Sequence, residues 1–283
     1  MGTMRIIADS GSTKTDWCLV NGGKVTLQVT TQGINPYYQT DGQIATFLRD
    51  ELLRVMGEQQ TERVSAVHFF GAGVRPEMRQ RMKKLLTALF PVAAVEVESD
   101  LLGAARALFG REEGLACILG TGSNSGYYDG QTIIANTPPL GFILGDEGSG
   151  AVLGKLFLGS LCKGLMPKGL LEEYLAETQQ EVADIIQAVY RQPLPNRYLA
   201  QASRFIHSHL YVKEVRQVVV DNFRAFFQRN ILQYGRNDLS VRAIGSVAWY
   251  YQDIFREAAQ MEGFHVDKVE KSPMDGLVRY QSE

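Results

Sequence analysis

The same kind of turn occurs twice in this chain, each time directly after a strand-like apolar run. The first reads DSGSTKT at residues 9–15, and the second reads GTGSNS at residues 120–125. The small residues Gly, Ser and Thr leave backbone N–H groups and hydroxyls accessible, which is what a polyphosphate needs from a protein loop. Two such turns predict two related lobes that close on one nucleotide, so ATP is the first ligand to consider.

The elements around the first turn recur around the second. Strands are predicted at Met4–Ala8, Thr15–Val20, Val25–Thr30, Val64–Phe70, Ala94–Glu98, Leu115–Leu119, Val241–Ile244 and His265–Val269, and helices at Gly42–Met56, from Pro76 to about Phe90, at Leu101–Leu108, from Ser246 to about Met261 and at Pro273–Gln281. This alternation predicts an α/β fold. We expect an N-terminal lobe at residues 1–110 and a C-terminal lobe at residues 111–283, the second with a helical insertion that begins near Ser149.

Composition and charge exclude several classes of protein. The formal net charge is −2, which provides no attraction to nucleic acid or to an anionic membrane. No apolar run reaches the roughly 18 residues of a membrane helix, and a strand that starts at Met4 leaves no room for a signal peptide. Cys18, Cys117 and Cys162 lie far apart, which disfavours disulfide, zinc and iron–sulfur sites. We therefore expect a cytoplasmic protein.

Asp9 and Asp100 each lie at the end of a predicted strand. Asp9 can hold Mg²⁺, directly or through water, while residues 11–15 bind phosphates; alternatively, Asp9 caps its own turn. Asp100 can accept the proton of a substrate hydroxyl as that oxygen attacks phosphorus. Alternatively it is the N-cap of the following helix, a role that Ser99 can fill equally well. There is no Walker A motif, so Lys14 is not a P-loop lysine.

Three further loops combine glycine with polar side chains. The turn at residues 120–125 lacks the dinucleotide-binding spacing and is either a phosphate loop or a plain tight turn. Residues 141–150, GFILGDEGSG, place Asp146 and Glu147 in a loop that can bind sugar hydroxyls or a metal; otherwise one of these acids caps the helix near Ser149. Gly245 and Ser246 connect a strand to a helix, where small residues let a flat base approach or simply allow close packing.

Taken together, these stretches resemble the actin-like and sugar-kinase ATPase superfamily. Within it, the chain is similar to the BadF/BadG/BcrA/BcrD ATPase family, and most of all to the N-acetylglucosamine kinases. The stretches that carry the resemblance are residues 9–15, 33–36, 99–100, 119–125, 141–150, 243–247 and 271–277. The resemblance implies two RNase-H-like lobes with a nucleotide cleft between them, ATP and Mg²⁺ as cofactors, and a small amino sugar as substrate.

The resemblance also implies a role for individual residues. The nucleotide-binding residues would be Gly11, Ser12, Thr13, Lys14, Gly120, Thr121, Gly122, Ser123, Gly245 and Ser246. The sugar-binding residues would be Asn35, Asp100, Gly141 and Asp146. Asp100 would be the general base that deprotonates the sugar 6-hydroxyl, and Asp9 would act on Mg²⁺, mostly through water. From the residues alone, Asn35 is equally well explained as the start of a turn, because Asn-Pro is a common turn opener.

Three functions fit these residues. The first is an ATP-dependent kinase that phosphorylates the 6-hydroxyl of N-acetylglucosamine or of a close amino sugar, such as N-acetylmuramic acid or glucosamine. The second is a non-kinase ATPase switch of the same fold that acts on a partner protein. The third is a non-catalytic sugar sensor. Sugar kinases of this type are often dimers, so we expect a homodimer.

Overall fold

The computed structural model describes residues 4–11 and 13–282, which form two compact units. Unit 1 comprises Met1–Glu112, Gly130–Ile133 and Ser272–Glu283, and unit 2 comprises Glu113–Asp129 and Ile134–Lys271. This division differs from the expected lobes, 1–110 and 111–283, chiefly at the C-terminal tail, which belongs to unit 1.

The chain alternates strands and helices throughout. The strands are β1 Met4–Ser10, β2 Lys14–Asn21, β3 Lys24–Gln32, β4 Val64–Gly71, β5 Ala94–Ser99, β6 Gly114–Leu119, β7 Ser123–Tyr128, β8 Ile133–Ala135, β9 Val241–Ile244 and β10 Val266–Glu270. The helices are α1 Asp41–Phe47, α2 Arg54–Met56, α3 Pro76–Leu89, α4 Asp100–Phe109, α5 Gly141–Leu144, α6 Gly150–Cys162, α7 Leu170–Thr178, α8 Val182–Arg191, α9 Pro195–Gln201, α10 Ser203–Ser208, α11 Lys213–Phe226, α12 Ser246–Tyr250, α13 Gln252–Met261 and α14 Met274–Tyr280.

Unit 1 is built on a five-stranded mixed sheet with the order β3-β2-β1-β4-β5. β1, β2 and β3 are antiparallel neighbours, whereas β4 pairs in parallel with β1 and β5 in parallel with β4. The antiparallel half follows from its short connections, since Gly22 and Gly23 both adopt the positive φ that a tight hairpin requires. The parallel half needs longer crossovers, which α1 to α2 and then α3 supply.

Unit 2 repeats this arrangement. Its sheet has the order β10-β9-β6-β7-β8, in which β6 and β7 are antiparallel and β9 is parallel to both β6 and β10. Matching β6–β10 to β1–β5 gives the same strand order, so the predicted α/β fold with two related halves is confirmed. The helical insertion runs from α6 to α11 and carries a cluster of aromatic side chains that are almost fully buried, among them Phe157, Phe205, Phe223, Phe226 and Phe227.

The C-terminal helix α14 completes the core of unit 1. Met274 and Leu277 are buried in an apolar cluster whose other buried members are Ile7, Cys18, Val20, Phe70 and Ala107. The helix approaches α4 so closely that a Cβ atom on Gly276 would lie 2.3 Å from the carbonyl oxygen of Ala107. A glycine is therefore required at position 276 for α14 to dock.

Two predicted helices are less regular than their sequence patterns suggest. The helix predicted at Gly42–Met56 contains a π-helical segment, Leu48–Leu53, between α1 and α2. The helix predicted from Ser246 to Met261 is interrupted at Tyr251, whose side chain is only 2% exposed and whose hydroxyl donates to the carbonyl oxygen of Ser203. Across residues 4–11 and 13–282, no helix combines the length and apolar character needed to span a membrane.

Candidate active site

Three strands of unit 1 end in register at one edge of the sheet. Ser10 of β1 lies opposite Gly71 of β4, and Gly71 lies opposite Ser99 of β5. Asp9 precedes the first of these residues and Asp100 follows the last. Because β1 and β5 run in the same direction on either side of β4, the two predicted acidic residues come to the same edge of the sheet.

Asp9 lies in an environment that disfavours its charged form. Burial is the main cause that raises the pKa of this carboxyl group to about 7; the carboxylates of Asp100 and Asp16 contribute in the same direction, and the Lys14 ammonium opposes them. A cation bound here would stabilise the ionised carboxylates.

Asp100 occupies the first turn of α4 without acting as its cap. Ser99 is the N-cap, because its Oγ accepts the N–H of Leu102 at 3.2 Å. The Asp100 Oδ1 accepts the N–H of Leu101 at 2.8 Å. Burial raises the pKa of Asp100 to about 6, although its hydrogen bonds to backbone amides oppose this shift. Such a carboxylate is ionised at neutral pH and basic enough to accept a proton.

The turn after β1 has a narrow base and exposed polar side chains. The Gly11 N–H donates to the Lys14 carbonyl oxygen at 2.9 Å, which closes the turn, and Thr13 is exposed. The Lys14 ammonium lies 2.5 Å from the Asp16 carboxylate. Thr15 is buried, and its hydroxyl donates to the Gln32 carbonyl oxygen, so its side chain stabilises the pairing of β2 with β3. Ser12, predicted to bind phosphate, lies outside the described residues.

Asn35 lies beside the turn that follows β4. A Cβ atom on Gly73 would come within 2.1 Å of the Asn35 Oδ1, so the absence of a side chain at position 73 makes room for this carboxamide. The same oxygen accepts the N–H of Tyr37 at 3.0 Å. The structure thus brings Asn35 to the edge where Gly71 is paired with Ser99, and it also shows Asn35 stabilising a local turn.

In unit 2, the turn after β6 is linked to the acidic loop. A Cβ atom on Gly122 would lie 3.0 Å from the Asp146 Oδ2. Burial raises the pKa of Asp146 to about 6 and the Glu147 carboxylate acts in the same direction, whereas the backbone N–H groups of Ser123 and Gly141 lower it. Three predicted residues of unit 2, Gly122, Ser123 and Gly141, therefore lie near the carboxylate of a fourth, Asp146.

The acidic loop itself has an unusual backbone. Asp146 has a φ of 56° and Leu140 a φ of 62°, values that are uncommon for residues with a side chain. The Asp146 N–H donates to the Pro139 carbonyl oxygen at 2.8 Å, which closes the loop at its base. The following helix α6 is capped by Ser149, whose Oγ accepts the Val152 N–H, so Asp146 is not the helix cap. Strained backbone of this kind is frequent at functional sites.

Thr121 and Gly120 hold the turn against the start of α6. The Gly150 N–H donates to the Gly120 carbonyl oxygen at 2.8 Å, and the Ala151 N–H donates to the Thr121 carbonyl oxygen at 3.1 Å. A Cβ atom on Gly120 would meet no other heavy atom within 4 Å. The backbone at position 120 is therefore open to a ligand.

Packing alone can explain why a glycine occupies position 245, whether or not this residue also binds the nucleotide. It has a φ of 115°, and a Cβ atom there would lie 2.3 Å from the carbonyl oxygen of Leu119, the last residue of β6. Ser246 is exposed at the first turn of α12. The structure thus places both residues next to the turn at Gly120, and Gly245 is required there whatever ligand binds.

Sequence reasoning missed Asp16 as part of this site. Asp16 lies directly opposite Asp9 in the pairing of β1 with β2, and its Oδ1 accepts the Thr30 hydroxyl at 2.8 Å. The sequence pattern of the β1–β2 hairpin could have indicated Asp16, because Asp9 and Asp16 lie symmetrically on either side of the turn that contains Gly11. Asp16 adds a third carboxylate to the edge that carries Asp9 and Asp100.

The carboxylates at this edge are compatible with a Mg²⁺ ion that takes most of its ligands from water and from substrate phosphates. Within the part of the chain that the structure describes, no group of three or more His, Cys, Asp or Glu residues is arranged to hold a metal ion. Mg²⁺ usually binds through one or two carboxylates, several waters and substrate phosphates. Asp9 therefore fits as a carboxylate partner of Mg²⁺ that arrives with a nucleotide.

The two sheets of identical order, each with a glycine-containing turn after its first strand, define an α/β protein of the actin-like ATPase fold class. No protein-family model matches the sequence, and no curated protein matches it either. Among solved structures, the chain is 49% identical to the protein named "Putative N-acetylglucosamine Kinase" from Porphyromonas gingivalis, with 99% of each chain covered and a TM-score of 0.96.

Two more distant structures share the fold. A protein of the same name from Chromobacterium violaceum is 16% identical over 98% of each chain, with a TM-score of 0.76. Glucokinase from Balamuthia mandrillaris, solved in complex with glucose, is 11% identical over 99% of this chain and 93% of its own, with a TM-score of 0.53. The full-length identity to the P. gingivalis protein is decisive: this chain belongs to the BadF/BadG/BcrA/BcrD-type ATPase family, in its N-acetylglucosamine kinase-like branch.

Proposed function

We propose that this protein is an ATP-dependent kinase that phosphorylates the 6-hydroxyl of N-acetylglucosamine or of a closely related amino sugar. The observation that carries this proposal is the Asp100 carboxylate, which lies at the end of β5, is not used as the helix cap, and has a raised pKa of about 6. The similarity to a protein named as an N-acetylglucosamine kinase supports the choice of substrate.

Asp100 would act as the general base. Its carboxylate would accept the proton of the 6-hydroxyl while that oxygen forms a bond to the γ-phosphorus of ATP and the bond from phosphorus to ADP breaks. A pKa of about 6 suits this role, because the group is mostly ionised at pH 7 but keeps more proton affinity than an exposed aspartate. Asn35, Gly141 and Asp146 are proposed to hold the sugar.

Small residues in each unit would bind the nucleotide. In unit 1 these are Gly11, Ser12, Thr13 and Lys14, and in unit 2 they are Gly120, Thr121, Gly122, Ser123, Gly245 and Ser246. The open backbone at Gly120 and the exposed Thr13 support this assignment. Bound Mg²⁺ would neutralise charge on the phosphates. Asp9 would hold that ion, mostly through water, and we further propose that the protein works as a cytoplasmic homodimer.

The test is ADP release by the full chain with ATP and Mg²⁺ against N-acetylglucosamine, N-acetylmuramic acid, glucosamine and glucose. We expect ADP release that depends on an amino sugar, with the phosphate assigned to O6 by phosphorus–proton NMR. Slow ADP release that no sugar stimulates would instead indicate an ATPase switch. Sugar binding without any ADP would indicate a sensor, and either result would refute the kinase proposal.

A further inference from the structure

We propose that Asn222 of α11 is a positioning residue for the proposed reaction, because it holds the acidic loop at residues 141–150 in the form that binds the sugar. This inference rests on the proposed function, since it takes Asp146 of that loop as a sugar contact. Asn222 is only 1% exposed. It can therefore affect a bound ligand only through the backbone of the loop.

The first observation is that the Asn222 carboxamide bonds to two successive residues of this loop. Its Oδ1 accepts the Gly148 N–H at 3.0 Å, and its Nδ2 donates to the Ser149 carbonyl oxygen at 3.3 Å. A carboxamide suits this place because it offers an acceptor and a donor side by side. Both bonds are buried, so a short apolar side chain would leave two backbone groups without these partners, which is costly away from water.

The second observation is that the backbone of the loop needs to be held. Asp146 has a φ of 56° and Gly148 a φ of 80°. A Cβ atom on Gly148 would lie 2.9 Å from side-chain atoms of Leu119 and Phe226, so the loop is tightly packed at this residue. Uncommon backbone angles persist only where the surrounding structure fixes them. The two bonds from Asn222 supply part of that constraint.

The third observation is that a short path of hydrogen bonds connects Asn222 to the proposed sugar contact. The Ser149 residue whose carbonyl oxygen bonds to Asn222 also donates its N–H to the Asp146 carbonyl oxygen at 3.1 Å. The Ser123 hydroxyl donates to the Glu147 carbonyl oxygen at 2.7 Å. The position of Asp146 therefore depends on Asn222, and its carboxylate would move if the loop relaxed.

The neighbouring contacts should matter to different extents. The Glu147 carboxylate forms an ion pair with Arg229 at 3.0 Å, but the Arg229 side chain is 69% exposed, and exposed ion pairs contribute little. The start of α6 is held separately, because the Gly150 N–H donates to the Gly120 carbonyl oxygen at 2.8 Å. Loss of the Asn222 carboxamide should therefore disturb the proposed sugar contact more than the proposed phosphate turn.

The experiment measures binding by calorimetry on the full chain, so that it stands apart from the kinase test. The probes are N-acetylglucosamine and the Mg²⁺ complex of a non-hydrolysable ATP analogue. The variant is Asn222→Ala, and Arg229→Gln tests the ion pair. The control for lost stability is Val215→Ala, which removes methyl groups from a fully buried position about two turns earlier in α11.

We expect Asn222→Ala to raise the dissociation constant of N-acetylglucosamine by about tenfold, because only a fraction of the loops would then have the binding form. The constant for the ATP analogue should change less than about threefold, and both constants less than about twofold in Arg229→Gln and Val215→Ala. Hydrogen exchange across residues 145–150 should become faster in Asn222→Ala alone. In the turnover assay, the KM for the sugar should rise with little change in kcat.

Three results would overturn the positioning role. Equal effects of Asn222→Ala and Val215→Ala on the sugar constant would show that Asn222 contributes only to stability. Unchanged sugar affinity together with faster exchange in the loop would show that the loop does not hold the sugar. If Asn222→Ala does not fold, Asn222→Asp, which keeps the acceptor for the Gly148 N–H, takes its place. It should weaken the sugar by about threefold or more, and an unchanged constant would overturn the role.

The same measurements separate this inference from the proposed function. Sugar binding that Asn222→Ala weakens as expected, in a chain that releases no ADP, would support the positioning role and refute the kinase proposal. Sugar-dependent ADP release with an unchanged sugar constant in Asn222→Ala would support the kinase proposal and refute the positioning role. A wild-type chain that binds no amino sugar would refute both.

Discussion

The turn after β1 and the turn after β6 occupy the same position in two sheets of identical order, but their surroundings differ in charge. The edge beside the first turn carries Asp9, Asp16 and Asp100, and the pKa of Asp9 is raised by burial and by the other two carboxylates. The edge beside the second carries Asp146, whose pKa is raised by burial but lowered by backbone N–H groups of Ser123 and Gly141. The repeated fold thus presents a cluster of carboxylates at one edge and a loop built around one carboxylate at the other.

Replacing Asp100, the proposed base, should have the largest effect on turnover. A small effect would contradict the proposed difference between the two edges. Asp100→Asn keeps the shape of the side chain but cannot accept the proton, so turnover should fall by about 10²–10⁴-fold while ATP still binds. Asp50→Asn, an exposed acid elsewhere in unit 1, is the control. Similar turnover in the Asp100 and Asp50 variants would remove Asp100 from the chemistry.

The different roles of two glycines at the second edge can be tested by replacing each with alanine. Gly245→Ala would place a Cβ atom 2.3 Å from the Leu119 carbonyl oxygen at a φ of 115°, so unit 2 should lose about 2–4 kcal/mol of unfolding free energy. Gly120→Ala meets no atom within 4 Å and should change that free energy by less than about 0.5 kcal/mol. Urea unfolding of both variants checks the contrast, and equal losses would contradict it.

The dependence of turnover on pH should report the proposed base. The pKa of Asp100 is about 6, raised by burial, and only the ionised form can accept a proton. We therefore expect kcat/KM to be constant above pH 7 and to fall by about tenfold per pH unit well below pH 6. A profile that stays flat down to pH 5 would show that Asp100 does not limit the reaction.

The burial of Asp9, together with the nearby carboxylates of Asp100 and Asp16, should appear as an effect of pH on stability. The pKa of Asp9 is about 7 in the folded chain against 3.8 for the free group, so its stabilising protonated form is present below pH 4 and is lost as the pH rises through 7. Asp9→Asn should raise the Tm at pH 8 by about 3 °C or more and change it little at pH 4. An equal change at both pH values would contradict this explanation.

Much of this arrangement could be predicted from local sequence. The strands that place Asp9 and Asp100 follow from apolar runs, and two strands flanking β4 in parallel must end at the same edge. The contact of Asp146 with Gly122 could not be predicted, because it joins segments whose approach depends on the packing of α6. The break at Tyr251 also depends on tertiary structure, since it is the burial of that ring and its bond to Ser203 that interrupt the helix.

The helix α14 has a consequence for how the protein forms during synthesis. The apolar cluster of Ile7, Phe70 and Ala107 is completed by Met274 and Leu277, which are synthesised long after the rest of the cluster. Unit 1 therefore keeps part of its core open to water until α14 has emerged from the ribosome. Nascent chains stalled before residue 272 should bind chaperones through this patch, and adding a peptide of residues 272–283 in trans should release them.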